Sequence, residues 1–282
     1  MALAGRIDGI ELVSVDSMQV YRGMDIGTAK ASPADRADVP HHLIDILDPH
    51  EECSVAWFAA QAERVRVDLA ARDRTRVLVG GTGLYHRAMV DGLDIPGRFP
   101  DVAADLEVEP DTAALHRRLA ALDPRAASRI EPANRRRLIR ALEVTIGSGV
   151  PFSSSGAGLE AYPATGVVMV GLDLDRELLT GRITARLDAQ MEAGFLDEVA
   201  RLDRRAAGWS RTAGQALGYR ELLDVVRGGA DLDARVAEVR VRTRRFAVRQ
   251  VRWFRRDPRI TWFDGSSPTL VDDVCAHWAS GK

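Results

Sequence analysis

The 282-residue chain is 46% hydrophobic and 28% charged, so it can bury a sizeable core, which excludes a mainly disordered protein. Its net charge of -2 argues against a uniformly basic nucleic-acid binder, and its two distant cysteines, Cys53 and Cys275, fit a reducing compartment and argue against structural zinc. Without a membrane-length apolar run or a secretory-signal pattern at residues 1–9, we expect a cytoplasmic protein.

The first third of the chain predicts alternating strands and helices. Residues 10–15 form a short β-branched run typical of a buried parallel strand, which leads into Asp16. An amphipathic helix follows from a plausible N-cap at Ser54 to about residue 73. A second buried strand at 76–79 runs into the glycine loop 80–83, and another helix begins directly after it. This alternation predicts an α/β fold whose active site lies at the carboxyl ends of parallel strands.

The middle of the chain changes in character. A proline-containing start is followed by helical stretches at 112–121 and 135–145, which predict a small helical insertion. A third buried strand at 167–172 is predicted to resume the sheet, before a long amphipathic helix at 176–202. We therefore predict an α/β core at residues 1–93 and 164–282 and a helical insertion domain at 94–163.

The end of the chain is predicted to be largely helical. It closes with a short apolar element at Trp262 and Phe263.

Two strand ends carry residues suited to catalysis or phosphate binding. A carboxylate at a dry strand end, such as Asp16, can act as a general base, although an Asp there can also simply cap the next turn. Gly80, Gly81, Thr82 and Gly83 place backbone amides and a hydroxyl at a strand-to-helix turn, which favours phosphate. The alternative is a tight turn that uses glycine for its backbone freedom.

A second glycine-containing motif, GQALGYREL, lies at residues 214–222. Its glycines allow close backbone approach, and Arg220 is suited to clamp a phosphate with two hydrogen bonds. A glycine bend between two helices with a solvated arginine is the alternative.

Arginines concentrate in two places. Arg135, Arg136, Arg137 and Arg140 begin one helical segment, where they suit RNA phosphates. Residues 235–259 contain ten arginines against two acids, with aromatic residues between them. This run is either a solvated helix face or a polyanion-binding surface, and its aromatics either stack on bases or form a buried stripe. The six histidines are scattered along the chain, which argues against a histidine metal site.

These signals occur in an order that resembles the tRNA dimethylallyltransferase (tRNA isopentenyltransferase) family. Six blocks carry the resemblance: VDSMQVYRGMDIGTAK (15–30), VPHHLIDILDP (39–49), LVGGTGLY (78–85), RRLIRALEV (136–144), GQALGYREL (214–222) and RQVRWFRRDPRI (249–260). Together they span nearly the whole chain.

The resemblance implies a P-loop NTPase-like α/β core of the nucleotide-binding, ATP-binding type, with an inserted helical domain that contacts the tRNA anticodon stem-loop. It also implies a prenyltransferase that moves a dimethylallyl group from dimethylallyl diphosphate to N6 of the adenine 3′ to the anticodon, with Mg²⁺. We also expect a monomer without membrane association. Extruding the adenine from the stack is a physical requirement of such chemistry.

By the same resemblance, Asp16 takes the N6 proton and Ser17, Met18 and Gln19 contact the flipped adenine. Thr82 lies beside the reacting groups and Arg220 holds the diphosphate. The remaining substrate- and tRNA-binding residues that it implies are Arg136, Arg137, Leu138, Ile139, Arg140, Gln215, Gly218, Tyr219, Arg249, Gln250, Trp253 and Arg255.

The chain departs from the family at the phosphate-binding loop. No GxxxxGK[ST] motif is present, and the only lysines are Lys30 and Lys282. By the resemblance, Met1 falls inside the helix that should follow that loop. We therefore expect the chain to be truncated, without the first strand and the P-loop that carries the usual Ser/Thr ligand for Mg²⁺. Two alternatives to the transferase stay open: a catalytically inactive tRNA-binding remnant, and an adenylate isopentenyltransferase that modifies free nucleotides.

Overall fold

A computed structural model describes residues 1–155, 158–159 and 161–281. The chain forms two compact units: one of Met1–Val90 with Ala164–Lys282, and one of Asp91–Pro163. The predicted insertion at 94–163 differs from the second unit by three residues at its start. Among the described helices, none combines the length and apolar character that crossing a bilayer requires.

The first unit opens with a three-stranded parallel sheet of order β2-β1-β3. Its elements are β1 (Ile10–Ser14), α1 (Pro33–Asp38), β2 (His41–His42), α2 (Val55–Ala71), β3 (Thr75–Val79) and α3 (Gly83–Asp91). Strand β1 is central and buried along its whole length. As predicted, Ser54 caps α2, because its hydroxyl accepts a hydrogen bond from the amide of Trp57 at 3.1 Å.

The second unit is helical. The stretches predicted at 112–121 and 135–145 form two of its helices, and two shorter helices were not predicted. It contains α4 (Pro100–Glu107), α5 (Thr112–Leu122), α6 (Pro124–Ala127) and α7 (Arg135–Ser148). Helix α7 supplies the centre of the core, where Leu138, Ala141 and Leu142 are fully buried. Gly149 ends this helix in the left-handed conformation at φ +73°, which glycine adopts without steric cost.

The first unit continues with a second parallel sheet. Its elements are β4 (Met169–Asp173), α8 (Arg176–Glu192), α9 (Phe195–Asp203), α10 (Tyr219–Val226), α11 (Leu232–Phe254), β5 (Ile260–Asp264) and α12 (Leu270–Ser280). In the described part of the chain, β4 pairs only with β5 and does not extend the first sheet. The prediction that β3 and β4 are buried strands is therefore wrong: both are half-exposed, because each bonds to a neighbour on one side only.

The helix predicted at residues 176–202 is interrupted. It ends at Glu192, and Gly194 has φ +91°, a left-handed conformation that breaks the helix before α9 begins. The break changes the direction of the chain, so α9 packs against α10. There, the rings of Phe195 and Tyr219 meet edge to face with centroids 4.9 Å apart, in the core of the unit.

Candidate functional site

Asp16 lies just beyond the carboxyl end of β1. Its Oδ1 accepts a hydrogen bond from the amide of Met18 at 2.8 Å, which fixes the carboxylate within a tight turn. Burial raises the pKa of Asp16, and the opposing effects of the amides of Met18 and Gln19 and of the Arg186 charge are smaller. A carboxylate with a raised pKa is a better proton acceptor than an ordinary surface Asp.

Thr82 lies beside this turn, at the carboxyl end of β3. Because Ser14 of β1 is paired with Val79 of β3, the loops that follow the two strands meet. The amide of Ser17 donates to Oγ1 of Thr82 at 3.3 Å, and the amide of Thr82 donates to the carbonyl of Val15 at 3.4 Å. The structure thus brings Asp16 and Thr82 to the same edge of the sheet.

The glycines of the 80–83 loop are required by close approach. A Cβ atom at position 80 would overlap the carbonyl group of Val15, so only glycine lets the two loops touch. The close approach supports the interpretation that the glycines serve the tight turn. A role of the loop in binding phosphate stays open, because Thr82 lines the same cavity as Asp16.

A cavity of about 1100 Å³ opens above this edge. Asp16, Ser17, Met18 and Thr82 line it, and helices α8 and α11 supply much of the remaining wall. Its volume is above the range of roughly 300–1,000 Å³ that is typical of small-molecule pockets. The opening can therefore accommodate a large substrate.

Arginines dominate the charge of the cavity wall. Arg182 and Arg186 come from α8, and Arg245 and Arg249 from α11. None of these four has a carboxylate within 4.0 Å among the residues that the structure describes. Arg242, by contrast, pairs with Glu221 at 2.6 Å and with Glu238 at 3.3 Å. Four uncompensated guanidinium groups make this wall attractive to a polyanion.

The sequence did not single out Arg182 and Arg186. The available signal was their spacing of four residues, which places both on one face of α8. That spacing alone does not distinguish a binding face from a solvated one. Their position opposite α11 arises only in the folded chain.

Gln19 and Arg220 are not among the described residues that line the cavity. The Gln19 side chain is held internally: Oε1 accepts from the Ser14 hydroxyl at 2.8 Å, and Nε2 donates to the carbonyl of Thr28 at 3.1 Å. Arg220 is exposed at the start of α10. The geometry therefore links Gln19 to the shape of the neighbouring loop, and it places Arg182 and Arg186 at the cavity where the sequence suggested Arg220.

Gln215 and Tyr219 of the GQALGYREL motif line the cavity, while Gly218 shapes it. Gly218 has φ +87°, and a Cβ atom there would lie 2.9 Å from the ring of Phe195. The buried hydroxyl of Tyr219 donates to Oε1 of Glu198 at 2.6 Å, and burial, followed by the negative charge of Glu198, raises the pKa of Tyr219.

Glu198 is a buried carboxylate that the sequence did not identify. It accepts hydrogen bonds from the amides of Asp25 and Ile26, both at 2.9 Å, and from the amide of Gly27 at 3.2 Å. Lys30, whose side chain is only 1% exposed, anchors the same loop by an ion pair with Asp25 at 2.7 Å. The loop that these contacts fix supplies residues 27–29 of the cavity wall.

Helix α11 and the residue that follows it carry the other predicted binding residues of the first unit. Arg249 and Gln250 line the cavity, and Nε2 of Gln250 donates to the carbonyl of Gly81 at 3.0 Å. Trp253 packs against Gly83. Arg255 pairs with Asp173 and lies 5.2 Å from the ring centroid of Trp262, so its guanidinium is already engaged.

The predicted RNA-binding residues of the second unit differ in their exposure to solvent. Arg136 and Arg137 are exposed at the start of α7. Leu138 and Ile139 are 0% and 5% exposed, so their side chains pack in the core of that unit. Arg140 pairs with the buried Glu143 at 2.8 Å and donates to the carbonyl of Pro96 at 2.7 Å. Its guanidinium therefore stabilises the unit itself.

A protein-built metal site is absent from the described residues. No three His, Cys, Asp or Glu side chains among them lie close enough to share an ion. Of the cavity carboxylates, Glu238 already pairs with Arg235 at 2.7 Å, which leaves Asp16. A single carboxylate is too small a donor set to hold a divalent cation without oxygen atoms from a bound phosphate.

The fold and the site define a class of protein: an α/β protein whose parallel strands end at a carboxylate, beside an arginine-lined cavity. Comparison with known proteins identifies the family within this class. Residues 19–257 match the IPP transferase family. The chain therefore belongs to this family.

Individual relatives agree with that membership. The tRNA dimethylallyltransferase of a Nocardioides species is 48% identical over 277 residues, which cover 96% of this chain and 87% of the relative. The crystal structure of the tRNA isopentenylpyrophosphate transferase of Bacillus halodurans is similar with a TM-score of 0.71 at 37% identity, covering 99% of this chain and 90% of that one.

A eukaryotic dimethylallyltransferase acting on tRNA has a similar fold, with a TM-score of 0.78 at 24% identity over 99% of this chain and 73% of that one. The expected fold class, a P-loop NTPase-like parallel core with an inserted helical domain, is confirmed.

Proposed function

We propose that this protein transfers a dimethylallyl group from dimethylallyl diphosphate to N6 of the adenine 3′ to the tRNA anticodon. The observation that carries the proposal is the position of Asp16, a carboxylate with a raised pKa, in the same cavity as four arginines. None of the four has a carboxylate partner within 4.0 Å in the described part of the chain. A base and an anion-binding wall are what amine alkylation by an allylic diphosphate requires.

In the proposed reaction, N6 forms a bond to the allylic carbon while the bond from that carbon to the diphosphate oxygen breaks. The electron pair of the broken bond leaves with the diphosphate, and the proton from N6 passes to Asp16. The Thr82 hydroxyl accepts from the amide of Ser17, so its own hydrogen is directed elsewhere and suits the departing oxygen.

Arg182 and Arg186 are better placed than Arg220 to receive the diphosphate. Both line the cavity that Asp16 lines, whereas Arg220 is exposed on α10 and is not part of that lining. Charge that develops on the leaving group is stabilised most by donors that already face it. We therefore assign the diphosphate to the α8 arginines.

Magnesium, which the family resemblance implies, has no complete ligand set here. The residues present do not fit a metal site built by the protein alone, because Asp16 is the one cavity carboxylate without an arginine partner within 4.0 Å among the described residues. Mg²⁺ would arrive with the diphosphate, whose oxygens complete its shell.

For the RNA, the exposed Arg136 and Arg137 of the second unit and Arg245 and Arg249 of the first unit are the proposed phosphate contacts. Such contacts position the RNA without reading its bases, and they make binding dependent on salt. Exposed arginines outside the cavity favour tRNA over a free adenine nucleotide, since a nucleotide has no distant phosphates to bind.

We propose that the protein acts as a monomer.

The test is incubation of the chain with tRNA, dimethylallyl diphosphate and Mg²⁺, followed by mass spectrometry of the digested RNA. Replacing Asp16 by Asn should lower kcat by about 10²- to 10⁴-fold, the usual range for a general base. The exposed Asp8→Asn variant is the matched control and should keep full activity.

Three results would contradict the proposal. Tight tRNA binding without turnover would indicate an inactive tRNA-binding protein. Faster prenylation of free adenine nucleotide than of tRNA would indicate an adenylate isopentenyltransferase. Unchanged kcat in the Asp16→Asn variant would remove Asp16 from the role of base.

A further inference from the structure

Helix α11 makes direct contact with the glycine loop at residues 80–83. The side chain of Gln250 donates a hydrogen bond from Nε2 to the carbonyl of Gly81 at 3.0 Å. A Cβ atom at position 81 would overlap that same amide nitrogen. The absence of a side chain at Gly81 thus makes room for Gln250.

Trp253 makes a second contact of the same kind, one turn further along α11. Its indole nitrogen occupies the space that a Cβ atom at position 83 would need. Gln250 and Trp253 are three residues apart and therefore share one face of the helix. Together they hold the loop on either side of Thr82.

The loop that they hold connects directly to the proposed base. The Thr82 hydroxyl accepts from the amide of Ser17 at 3.3 Å, and Ser17 follows Asp16 in the chain. Movement of the loop would therefore displace the Thr82 hydroxyl relative to Asp16. A misplacement of about 1 Å at reacting groups is known to lower rates by about a hundredfold.

The same helix carries cavity arginines next to these contacts. Arg249 precedes Gln250, and Arg245 lies one turn earlier; both line the cavity. A polyanion bound by these arginines would act on the helix segment that contacts the loop. Helix α11 therefore links the arginines of the cavity wall to the position of Thr82 relative to Asp16.

We propose that Gln250 and Trp253 are positioning residues that hold the 80–83 loop in register with Asp16, instead of contacting tRNA themselves. This inference rests on the proposed function. It requires that loss of the Gln250 amide lowers kcat and leaves the affinity for tRNA unchanged.

The experiment compares Gln250→Ala, Gln250→Glu, Gly81→Ala and the double variant Gly81→Ala/Gln250→Ala. Gln250→Ala should lower kcat at least tenfold with the Kd for tRNA within twofold of wild type. Gln250→Glu keeps the shape but cannot donate to the Gly81 carbonyl, so it should lose as much activity as Gln250→Ala. Arg249→Gln is the contrasting neighbour, and it should raise the Kd for tRNA and reduce its salt dependence.

The double variant tests the contact itself. Gly81→Ala alone should be more damaging than Gln250→Ala, because the new methyl group meets the Gln250 amide. In the double variant the methyl group has room, so its kcat should be no lower than that of Gln250→Ala. Such non-additivity is the signature of two groups in direct contact.

Two outcomes would overturn the inference. One is a tenfold weaker affinity for tRNA in Gln250→Ala with kcat unchanged, which would make Gln250 an RNA contact. The other is additive losses in the double variant. If the wild-type chain shows no turnover, the proposed function fails; the same cycle measured as urea unfolding midpoints then decides separately whether the contact exists.

Discussion

The buried carboxylate of Glu198 should control both stability and the shape of the cavity. It accepts three backbone hydrogen bonds from residues 25–27 and one from the hydroxyl of Tyr219. Replacing it by Gln keeps the volume but turns one acceptor oxygen into an NH₂ group. That group must then face donors, whichever way the amide is turned.

The Gln side chain in the Glu198→Gln variant will adopt the orientation that loses fewer hydrogen bonds, and this orientation determines how much stability is lost. With NH₂ in the Oε1 position, the Tyr219 hydroxyl can reverse and accept, so only the bond from the amide of Gly27 is lost, along with the charge that strengthened the others. Hydrogen bonds to charged groups contribute about 1.5–3 kcal/mol each. The Glu198→Gln variant should therefore lose about 2–4 kcal/mol of unfolding free energy.

Hydrogen exchange of the 24–29 loop is the direct assay. A loss of about 2–4 kcal/mol corresponds to exchange faster by about 30- to 1,000-fold at the amides of residues 25–27, since each 1.4 kcal/mol is a factor of ten. Tyr219→Phe is the control, because it removes a single donor and should cost about 1–2 kcal/mol. Unchanged protection of these amides in Glu198→Gln would refute the reasoning.

Three further predictions concern charge and packing. Burial raises the pKa of Asp16 and the Arg186 charge lowers it, so Arg186→Gln should move the acidic limb of the kcat/KM profile to higher pH. The hydrogen bond to Arg72 is the main cause that lowers the pKa of Glu11 from 4.5 to about 2. The ionised Glu11 therefore contributes its full stability above pH 4.5, and this contribution is lost as the pH falls towards 2. Glu11→Gln should cost about 1–2 kcal/mol at pH 7, allowing for the partly exposed Arg72, and should flatten the acid dependence in urea unfolding. Leu142→Ala in the core of the second unit should cost about 2–5 kcal/mol by thermal or urea unfolding.

Each of these has a contradicting result. An acidic limb that does not move would show that the Arg186 charge does not reach Asp16. Unchanged acid sensitivity in the Glu11→Gln variant would place the acid-labile group elsewhere. An Leu142→Ala variant as stable as wild type would mean that the second unit is not held together by the core around α7.

The sequence alone determined the elements that depend on local pattern. Strand β1 and helix α2 could be predicted because hydrophobic periodicity and the Ser54 cap are local signals. The meeting of Asp16 and Thr82 could also be predicted, because the carboxyl ends of parallel strands share one edge. Gly194 was visible in the sequence, but its helix-breaking conformation was not, since glycine is also tolerated inside helices.

Only the tertiary structure decided what the charged and polar side chains do. Arg182 and Arg186 look like any solvated helix face until α11 is packed opposite them, and Arg140 looks like an RNA contact until Glu143 is found beside it. The partner of a side chain comes from distant parts of the chain, and its burial depends on how the elements pack. Sequence therefore located the sheet edge that carries Asp16 and Thr82, whereas folding brought Glu198 to the loop that supplies part of the cavity wall.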